Sequence, residues 1–176
     1  MSIKDSRGWS LIEMMLVLLI FGIMATLMSY SYSRYVNNDS LRTAARQLAT
    51  DINTMKGVAV TQMNTAVTIS FNKTANSYTL SSYPLSATVT RPAETKSLST
   101  IYAGQGIIIQ SLPGGGTTTT LTFLTRGLLS PSPTATTNCD ATTTYTCWFV
   151  LQNSRGSQAT VTYNVEGKTY VTFAMQ

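Results

Sequence analysis

A single carboxylate, Glu13, stands inside a long apolar segment near the start of the chain. Residues 11–28 are otherwise apolar, apart from the small residues Gly22 and Thr26. An ionised side chain within a membrane-spanning helix costs roughly 2.5–3.5 kcal/mol on insertion scales, and such residues are normally paired or functional. Glu13 lies about one helical turn inside the segment, so snorkelling to the interface is the alternative interpretation. Glu13 is therefore the first candidate for a functional side chain.

The rest of the chain offers few residues for catalysis or metal binding. It contains no histidine, which removes the usual general base and the commonest metal ligand. The Gly-rich stretch 112–116 is not followed by a Lys-Ser/Thr pair or a helix, so it does not match a phosphate-binding loop. The sequence therefore predicts no catalytic residue, no metal and no cofactor. A membrane-tethered enzyme using one of the many Ser or Thr hydroxyls is the weakest alternative, because no motif positions a base.

Two cysteines, Cys139 and Cys147, lie close together near the end of the chain. A close pair in an exported protein is typical of a disulfide. The seven intervening residues argue against a Cys-x-x-Cys redox pair. The segment 127–144 is rich in Pro, Thr and Ser, and we expect an exposed insertion whose end this disulfide ties to the next strand.

The element that carries Glu13 is predicted to cross a membrane. Its 18 apolar residues would span about 27 Å as a helix, close to the thickness of a bilayer core. Lys4 and Arg7 precede the span, and Tyr30, Tyr32 and Tyr35 follow it, as expected for tyrosines at a membrane interface. This pattern predicts a cytoplasmic N-terminus and a single-pass protein whose residues beyond 35 lie on the other side of the membrane. A secretory signal peptide fits less well because the apolar run is long, and a plain anchor leaves Glu13 unexplained.

A second helix pattern and a series of strands follow the span. Six apolar residues recur at alternating spacings of four and three, which predicts an amphipathic helix over about 40–62: Leu41, Ala45, Leu48, Ile52, Met55 and Ala59. The membrane-spanning helix is expected to continue beyond the span, and the alternative is a cap or an interruption at the polar residues 37–40. Strands are predicted at 66–71, 77–82, 101–110, 118–124, 146–152, 158–165 and 168–174. The predicted class is α+β, with a helix laid on an antiparallel sheet.

A polar stripe of that helix is formed by Arg42, Arg46, Asn53 and Lys56. The simplest interpretation is a solvated helix face. The alternatives are contact with a neighbouring subunit or with phosphate. From residue 35 onward the chain has nine Lys and Arg against five Asp and Glu, which permits weak attraction to nucleic acid.

Residues 8–13, Gly-Trp-Ser-Leu-Ile-Glu, resemble the prepilin cleavage motif of type IV pilins and type II secretion pseudopilins. The resemblance implies that prepilin peptidase cuts between Gly8 and Trp9 and methylates the new N-terminus. It divides the chain into a leader (1–8), a transmembrane assembly helix (9–35) and a periplasmic globular domain (36–176). It also implies that Glu13 meets the N-terminal amine of an adjacent subunit, since a buried charge needs a partner.

The same resemblance implies a structural subunit rather than an enzyme. Its partners would be other pilin or pseudopilin subunits, prepilin peptidase and an inner-membrane assembly platform, with energy from a separate ATPase. Trp9 replaces the usual phenylalanine, and Tyr30 stands where many major pilins carry proline. The second departure favours a minor pilin or pseudopilin.

The order of helix and strands is also similar to the FimT/GspH branch of minor pilins and pseudopilins. The similarity rests on residues 48–63, 67–71, 121–127 and the terminal hairpin near Gly167. Some members bind DNA through a C-terminal Gly-Arg-x-Arg tail, which implies an alternative function in natural transformation. The corresponding stretch here retains only Lys168, so Arg42, Arg46, Lys56 and Lys168 are the candidate DNA or subunit contacts.

Overall fold

A computed structural model describes residues 10–61, 67–84, 89–124, 127–129, 139–140, 146–164, 166 and 168–176. The chain divides into two compact units, one ending at Val36 and the other comprising Asn37–Gln176. The α+β class predicted from the sequence is confirmed, because one long helix is followed by antiparallel sheets.

Helix α1 comprises Leu11–Thr61. In the first unit its apolar side chains are exposed: Leu11 is 79 %, Leu18 69 % and Met28 71 % accessible. This part of α1 is long and apolar enough to cross a membrane, and none of its most apolar 18-residue window is buried within the chain. An apolar surface of this size needs a cover other than water.

In the second unit, α1 buries one face. All six residues of the predicted apolar face are at most 2 % exposed, which confirms the amphipathic pattern. The expected continuation of the helix beyond the span is confirmed, and the alternative of a cap or an interruption at residues 37–40 is wrong, because α1 runs through them. Asn37 is buried there, and Asn38 Oδ1 accepts a hydrogen bond from Asn153 Nδ2 at 3.0 Å. A partner from the following domain thus supports the polar segment within the helix.

Two antiparallel sheets pack around this helix face. The first has the order β5-β2-β1-β7, and the second has the order β11-β10-β9-β6, with β8 paired to β9. A two-stranded pair, β3 and β4, lies outside both. The strand bounds are β1 Val67–Asn72, β2 Ser77–Leu80, β3 Tyr83–Pro84, β4 Thr90–Arg91, β5 Glu94–Ser97, β6 Ile108–Ser111, β7 Thr118–Phe123, β8 Cys139–Asp140, β9 Thr146–Gln152, β10 Gln158–Tyr163 and β11 Thr169–Ala174.

Aromatic rings join the two sheets in the core. The Phe71 ring of β1 lies 4.3 Å from the Phe149 ring of β9, and Phe149 lies 5.5 Å from Tyr163. Alternation on the strands follows the predicted pattern, with inward residues of β9 and β10 buried and their neighbours half-buried. Burial of these large rings contributes to the apolar stabilisation of the domain, together with the aliphatic residues of the same core.

The predicted strand at 101–110 is wrong over its first half. Leu98–Ile101 form a short helix, α2, and residues 102–106 form turns in which Gly104 and Gly106 have φ of +82° and +60°. These left-handed glycines turn the chain before β6 begins. The predicted insertion 127–144 is also not wholly exposed, because Leu129 is buried and bridges to Phe123. Residues 130–138 and 141–145 of that insertion lie outside the described residues.

Candidate functional site

Glu13 lies in the first turn of α1, where Ser10 begins the helix. Ser10 Oγ accepts a hydrogen bond from Ile12 N at 3.3 Å, and Ser10 O accepts from Glu13 N at 3.0 Å. Ser10 and Glu13 therefore stand at the positions of a Ser-x-x-Glu capping pair, and a carboxylate there also favours the positive end of the helix dipole. Within the described residues, no hydrogen bond or ion pair of the Glu13 side chain is present. The carboxylate is thus exposed on an apolar helix.

The predicted cleavage and methylation residues, Gly8 and Trp9, lie outside the described residues. Their assignment remains a prediction. In the described segment that follows, Leu11 and Ile12 are 79 % and 75 % exposed.

The polar stripe of α1 borders the C-terminal strand β11, and three of its members, Arg42, Arg46 and Asn53, remain exposed to solvent. The guanidinium carbons of Arg42 and Arg46 each lie 6.0 Å from the centroid of the Phe173 ring. Further along, Asn53 Oδ1 accepts a hydrogen bond from Thr169 Oγ1 at 3.1 Å. Residues later in α1 contact residues earlier in β11, so this part of α1 runs antiparallel to β11.

The two lysines proposed for DNA or subunit contact meet at Glu166. Lys56 Nζ donates to the Glu166 carbonyl oxygen at 2.6 Å, and Lys168 Nζ lies 3.5 Å from Glu166 Oε2. The Lys168 and Glu166 side chains are 64 % and 69 % exposed, so this ion pair contributes little to stability. The four candidate cations therefore lie along one border, between α1 and β11.

A buried polar cluster that sequence reasoning missed fastens α1 to the first sheet. Asp51 is 7 % exposed, and both of its carboxylate oxygens accept hydrogen bonds from Lys96 Nζ, at 2.9 and 2.8 Å. Tyr78 OH donates to Asp51 Oδ2 at 2.6 Å, and Gln47 Nε2 donates to Oδ1 at 3.0 Å. The sequence feature that could have revealed this cluster is the position of Asp51, a charged residue that lies three residues after Leu48 on the apolar face of α1.

The chemistry of this cluster is that of a satisfied ion pair. Burial, together with the hydrogen bond to Asp51, raises the pKa of the Tyr78 phenol well above its ordinary value, so this group stays protonated. A cavity of about 160 Å³ adjoins the cluster, lined by Ala44, Gln47, Tyr78, Lys96, Leu98, Ile101 and Tyr102. Within the described residues no group of three or more His, Cys, Asp or Glu could hold a metal.

The predicted cysteine pair falls on two neighbouring strands. Cys139 of β8 is the register partner of Cys147 of β9. Directly opposed residues of an antiparallel pair have Cα atoms about 4.5–5.5 Å apart, inside the range of about 4.4–6.8 Å found for disulfides. The Cys147 side chain is buried. This placement is compatible with the predicted disulfide.

Comparison with known proteins identifies one feature, at the N-terminus. The family model described as the prokaryotic N-terminal methylation motif matches residues 3–29, which include Gly8, Trp9 and Glu13. No curated protein and no solved structure shows a significant match to the chain. The motif indicates a type IV pilin-like or pseudopilin substrate of prepilin peptidase. It suggests a structural subunit rather than an enzyme, and it implies assembly with other pilins.

Proposed function

We propose that this chain is a minor pilin or pseudopilin, a structural subunit of a type IV pilus or a type II secretion filament. One observation carries the proposal: the exposed apolar part of α1, over which the methylation motif extends to residue 29, contains a single carboxylate, Glu13. Contact of this apolar helix with water is unfavourable. Before assembly a bilayer can surround the helix, and after assembly neighbouring helices can surround it. These two environments correspond to the two states of a pilin, the membrane-inserted subunit and the assembled filament.

In the first stage the chain is an inner-membrane protein with its globular domain in the periplasm. Lys4 and Arg7 before the span support this orientation through the positive-inside rule. Prepilin peptidase then cuts between Gly8 and Trp9, removing residues 1–8 and methylating Trp9. An assembly platform extracts the processed subunit, using energy from a separate cytoplasmic ATPase.

In the second stage Glu13 sets the axial register of the subunit. The new amine at Trp9 and the Glu13 carboxylate are four residues apart, about one helical turn along α1. In a water-free helix bundle an unpaired charge is costly, so each carboxylate is expected to meet the amine of an adjacent subunit. A subunit shifted along the bundle leaves both charges unpaired. Glu13 therefore acts through electrostatic pairing and not through catalysis.

The minor role rests on the departures from the major pilin pattern. Tyr30 lies within α1 at the position where many major pilins carry proline. The helix-then-strands order supports a place in the FimT/GspH branch.

The test compares Glu13→Ala and Glu13→Gln with Met15→Ala, a matched change in the same turn that leaves the carboxylate intact. The variants are expressed with an active prepilin peptidase and the full set of partner subunits. We expect all three to be cleaved. The two Glu13 variants should incorporate into sheared filaments about tenfold less well or worse, because an uncompensated charge costs several kcal/mol in a bundle. Equal incorporation of Glu13→Gln and Met15→Ala would refute the register role.

A DNA-binding minor pilin remains the alternative, supported by the net positive charge beyond residue 35. Each of its candidate cations has a contact within the chain, at Phe173 or Glu166. A gel shift at two salt concentrations tests this function, because phosphate contacts make affinity fall steeply with salt. A salt-sensitive shift that weakens in Lys168→Ala would favour the alternative.

A further inference from the structure

The outer strands of the two sheets differ in how far they are protected against pairing with another chain. An edge strand presents unpaired N–H and C=O groups, and proteins block such edges with charges, bulges or covering segments. Strand β5 is short and carries Glu94 and Lys96. Strand β7 meets Leu129 at Phe123 through a β-bridge. Both outer strands of the first sheet are thus at least partly protected.

In the second sheet, β6 is protected by an asparagine and by a bulge. Asn76 Nδ2 donates to Ile107 O at 2.7 Å, and Asn76 Oδ1 accepts from Ile109 N at 2.8 Å. The side chain therefore occupies the outer edge of β6 as a neighbouring strand would. The register with β9 also shifts between Ile109 and Ser111. An additional strand cannot pair regularly there.

Strand β11 lacks these protections. Its sequence, Thr-Tyr-Val-Thr-Phe-Ala over residues 169–174, has no charge and no proline. No described strand pairs with its outer side, since β10 is its neighbour in the sheet order. Five of its six residues are β-branched or aromatic, and the strand is long enough for regular pairing.

The ladder geometry assigns the outward-pointing backbone groups of β11. Asn164 N donates to Lys168 O at 3.0 Å, so this pair is hydrogen-bonded. Hydrogen-bonded and non-hydrogen-bonded pairs alternate in an antiparallel ladder, which makes Thr162–Tyr170 and Thr160–Thr172 the next bonded pairs. The N–H and C=O groups of the intervening residues therefore face outward: Thr169, Val171 and Phe173.

The charges beside this edge are positive. Arg42 and Arg46 flank its C-terminal end at Phe173, and Lys56 and Lys168 flank its N-terminal end. Glu166 is the acidic group described between the two lysines. A strand bringing carboxylates to these positions gains electrostatic attraction and steering, whereas one bringing lysines is disfavoured.

We propose that β11 is a β-augmentation site that binds an extended, acidic peptide segment of another protein. The segment pairs with the outward groups of Thr169, Val171 and Phe173, and its carboxylates face the cations of α1 and Lys168. Main-chain hydrogen bonds supply most of the affinity, and the flanking charges supply the selectivity. The proposal concerns the globular domain and does not depend on processing or on Glu13.

The probe is a fluorescein-labelled peptide of alternating threonine and valine flanked by glutamates, compared with the same peptide flanked by lysines. Binding to the full chain in detergent micelles is measured by fluorescence polarisation. Val171→Pro removes one outward N–H and obstructs the edge, while the ladder to β10 uses the neighbouring residues. Thr172→Ala is the matched control, because it changes an exposed side chain of β11 without altering the outward groups.

We expect the glutamate-flanked peptide to bind wild type and Thr172→Ala alike, and Val171→Pro roughly tenfold less well or worse. Circular dichroism establishes that each variant retains its sheets. Arg42→Glu should weaken the acidic peptide about fivefold and strengthen the basic one, whereas Lys73→Glu, with the same change in net charge, should not.

Three results would overturn the proposal. The first is no binding of the glutamate-flanked peptide to the wild-type chain. The second is undiminished binding to a folded Val171→Pro variant. The third is equal affinity of the wild type for acidic and basic peptides. A fourth result would contradict the choice of occupant: the wild-type chain associates with itself, Val171→Pro abolishes this association, and the acidic peptide does not compete with it. The edge would then bind a second copy of the chain.

Discussion

Removing the Tyr78 hydroxyl tests the buried cluster that joins α1 to the first sheet. In Tyr78→Phe the ring keeps its place beside Phe71, 5.8 Å away, and the hydrogen bond lost among the described residues is the 2.6 Å bond to Asp51. Asp51 keeps its bonds from Lys96 and Gln47, so its charge is not left without a partner. The substitution therefore isolates one charge-assisted hydrogen bond.

The expected loss follows from that bond alone. Hydrogen bonds to charged groups contribute about 1.5–3 kcal/mol to stability. For a domain of this size, the corresponding fall in Tm is roughly 5–10 °C. The matched control is Tyr170→Phe, because Tyr170 is 56 % exposed and a surface change there should cost less than about 0.5 kcal/mol.

The pH dependence provides a second, independent readout. Burial and Asp51 raise the pKa of Tyr78 in the folded state, whereas the unfolded tyrosine titrates near its ordinary value of about 10. The unfolded chain therefore loses this proton first, and the stabilisation is complete below pH ~10 and declines as the pH rises above it. The advantage of wild type over Tyr78→Phe should be constant from about pH 7 to 9 and shrink above about 10.

The assay is thermal unfolding of the full chain in detergent micelles, followed by near-UV circular dichroism at several pH values. Equal Tm values for Tyr78→Phe and Tyr170→Phe would refute the role given to the cluster. So would an advantage of wild type that grows above pH ~10.

Three further changes test other parts of the domain by the same melt. Asn76→Gly should lower the stability of the domain by about 1–3 kcal/mol, because it removes the two hydrogen bonds from the Asn76 side chain to β6. Asn76→Ala should lower it by about 1 kcal/mol more, because residue 76 has a φ of +50°, which alanine adopts less readily than glycine. Gly106→Ala should cost roughly 1–3 kcal/mol, since φ is +60° and the added Cβ would lie 2.8 Å from Ser154 Cβ. If the predicted disulfide Cys139–Cys147 forms, reductant should lower wild-type stability by a little under about 3 kcal/mol and leave a Cys147→Ser variant unchanged.

Helix and strand periodicity predicted most of the fold. The apolar face from Leu41 to Ala59 was recognisable because core contact on a helix repeats every three or four residues. The strands at 146–152 and 118–124 were recognisable because each is rich in β-branched or aromatic residues. Sequence periodicity therefore predicts a helix or strand correctly where the burial of its residues follows the repeat of that one element.

The departures lie at residues 37–40 and 101–107. Gly104 and Gly106 have positive φ values and turn the chain, and Gly106 closely approaches Ser154. The polar residues 37–40 lie within α1, where Asn38 hydrogen-bonds to Asn153. Because Asn153 and Ser154 lie far along the chain, these two contacts have no signal at short sequence separation.

The candidate site was predictable only in part. Glu13 stands out because a charge in an apolar run is costly, and this cost is visible in the sequence. The stripe at Arg42 and Arg46 was recognised, but its contact with Phe173 joins residues more than 120 positions apart. The Asp51–Lys96 pair likewise depends on strand order that periodicity does not specify.

The most direct test of the central claim is the mass of the N-terminal peptide of membrane-purified protein, from cells with an active prepilin peptidase. The proposed function predicts a peptide that begins at Trp9 and carries one methyl group on its amine. In cells lacking the peptidase, the same protein should retain residues 1–8. A peptide that includes residues 1–8 despite an active peptidase would contradict the account.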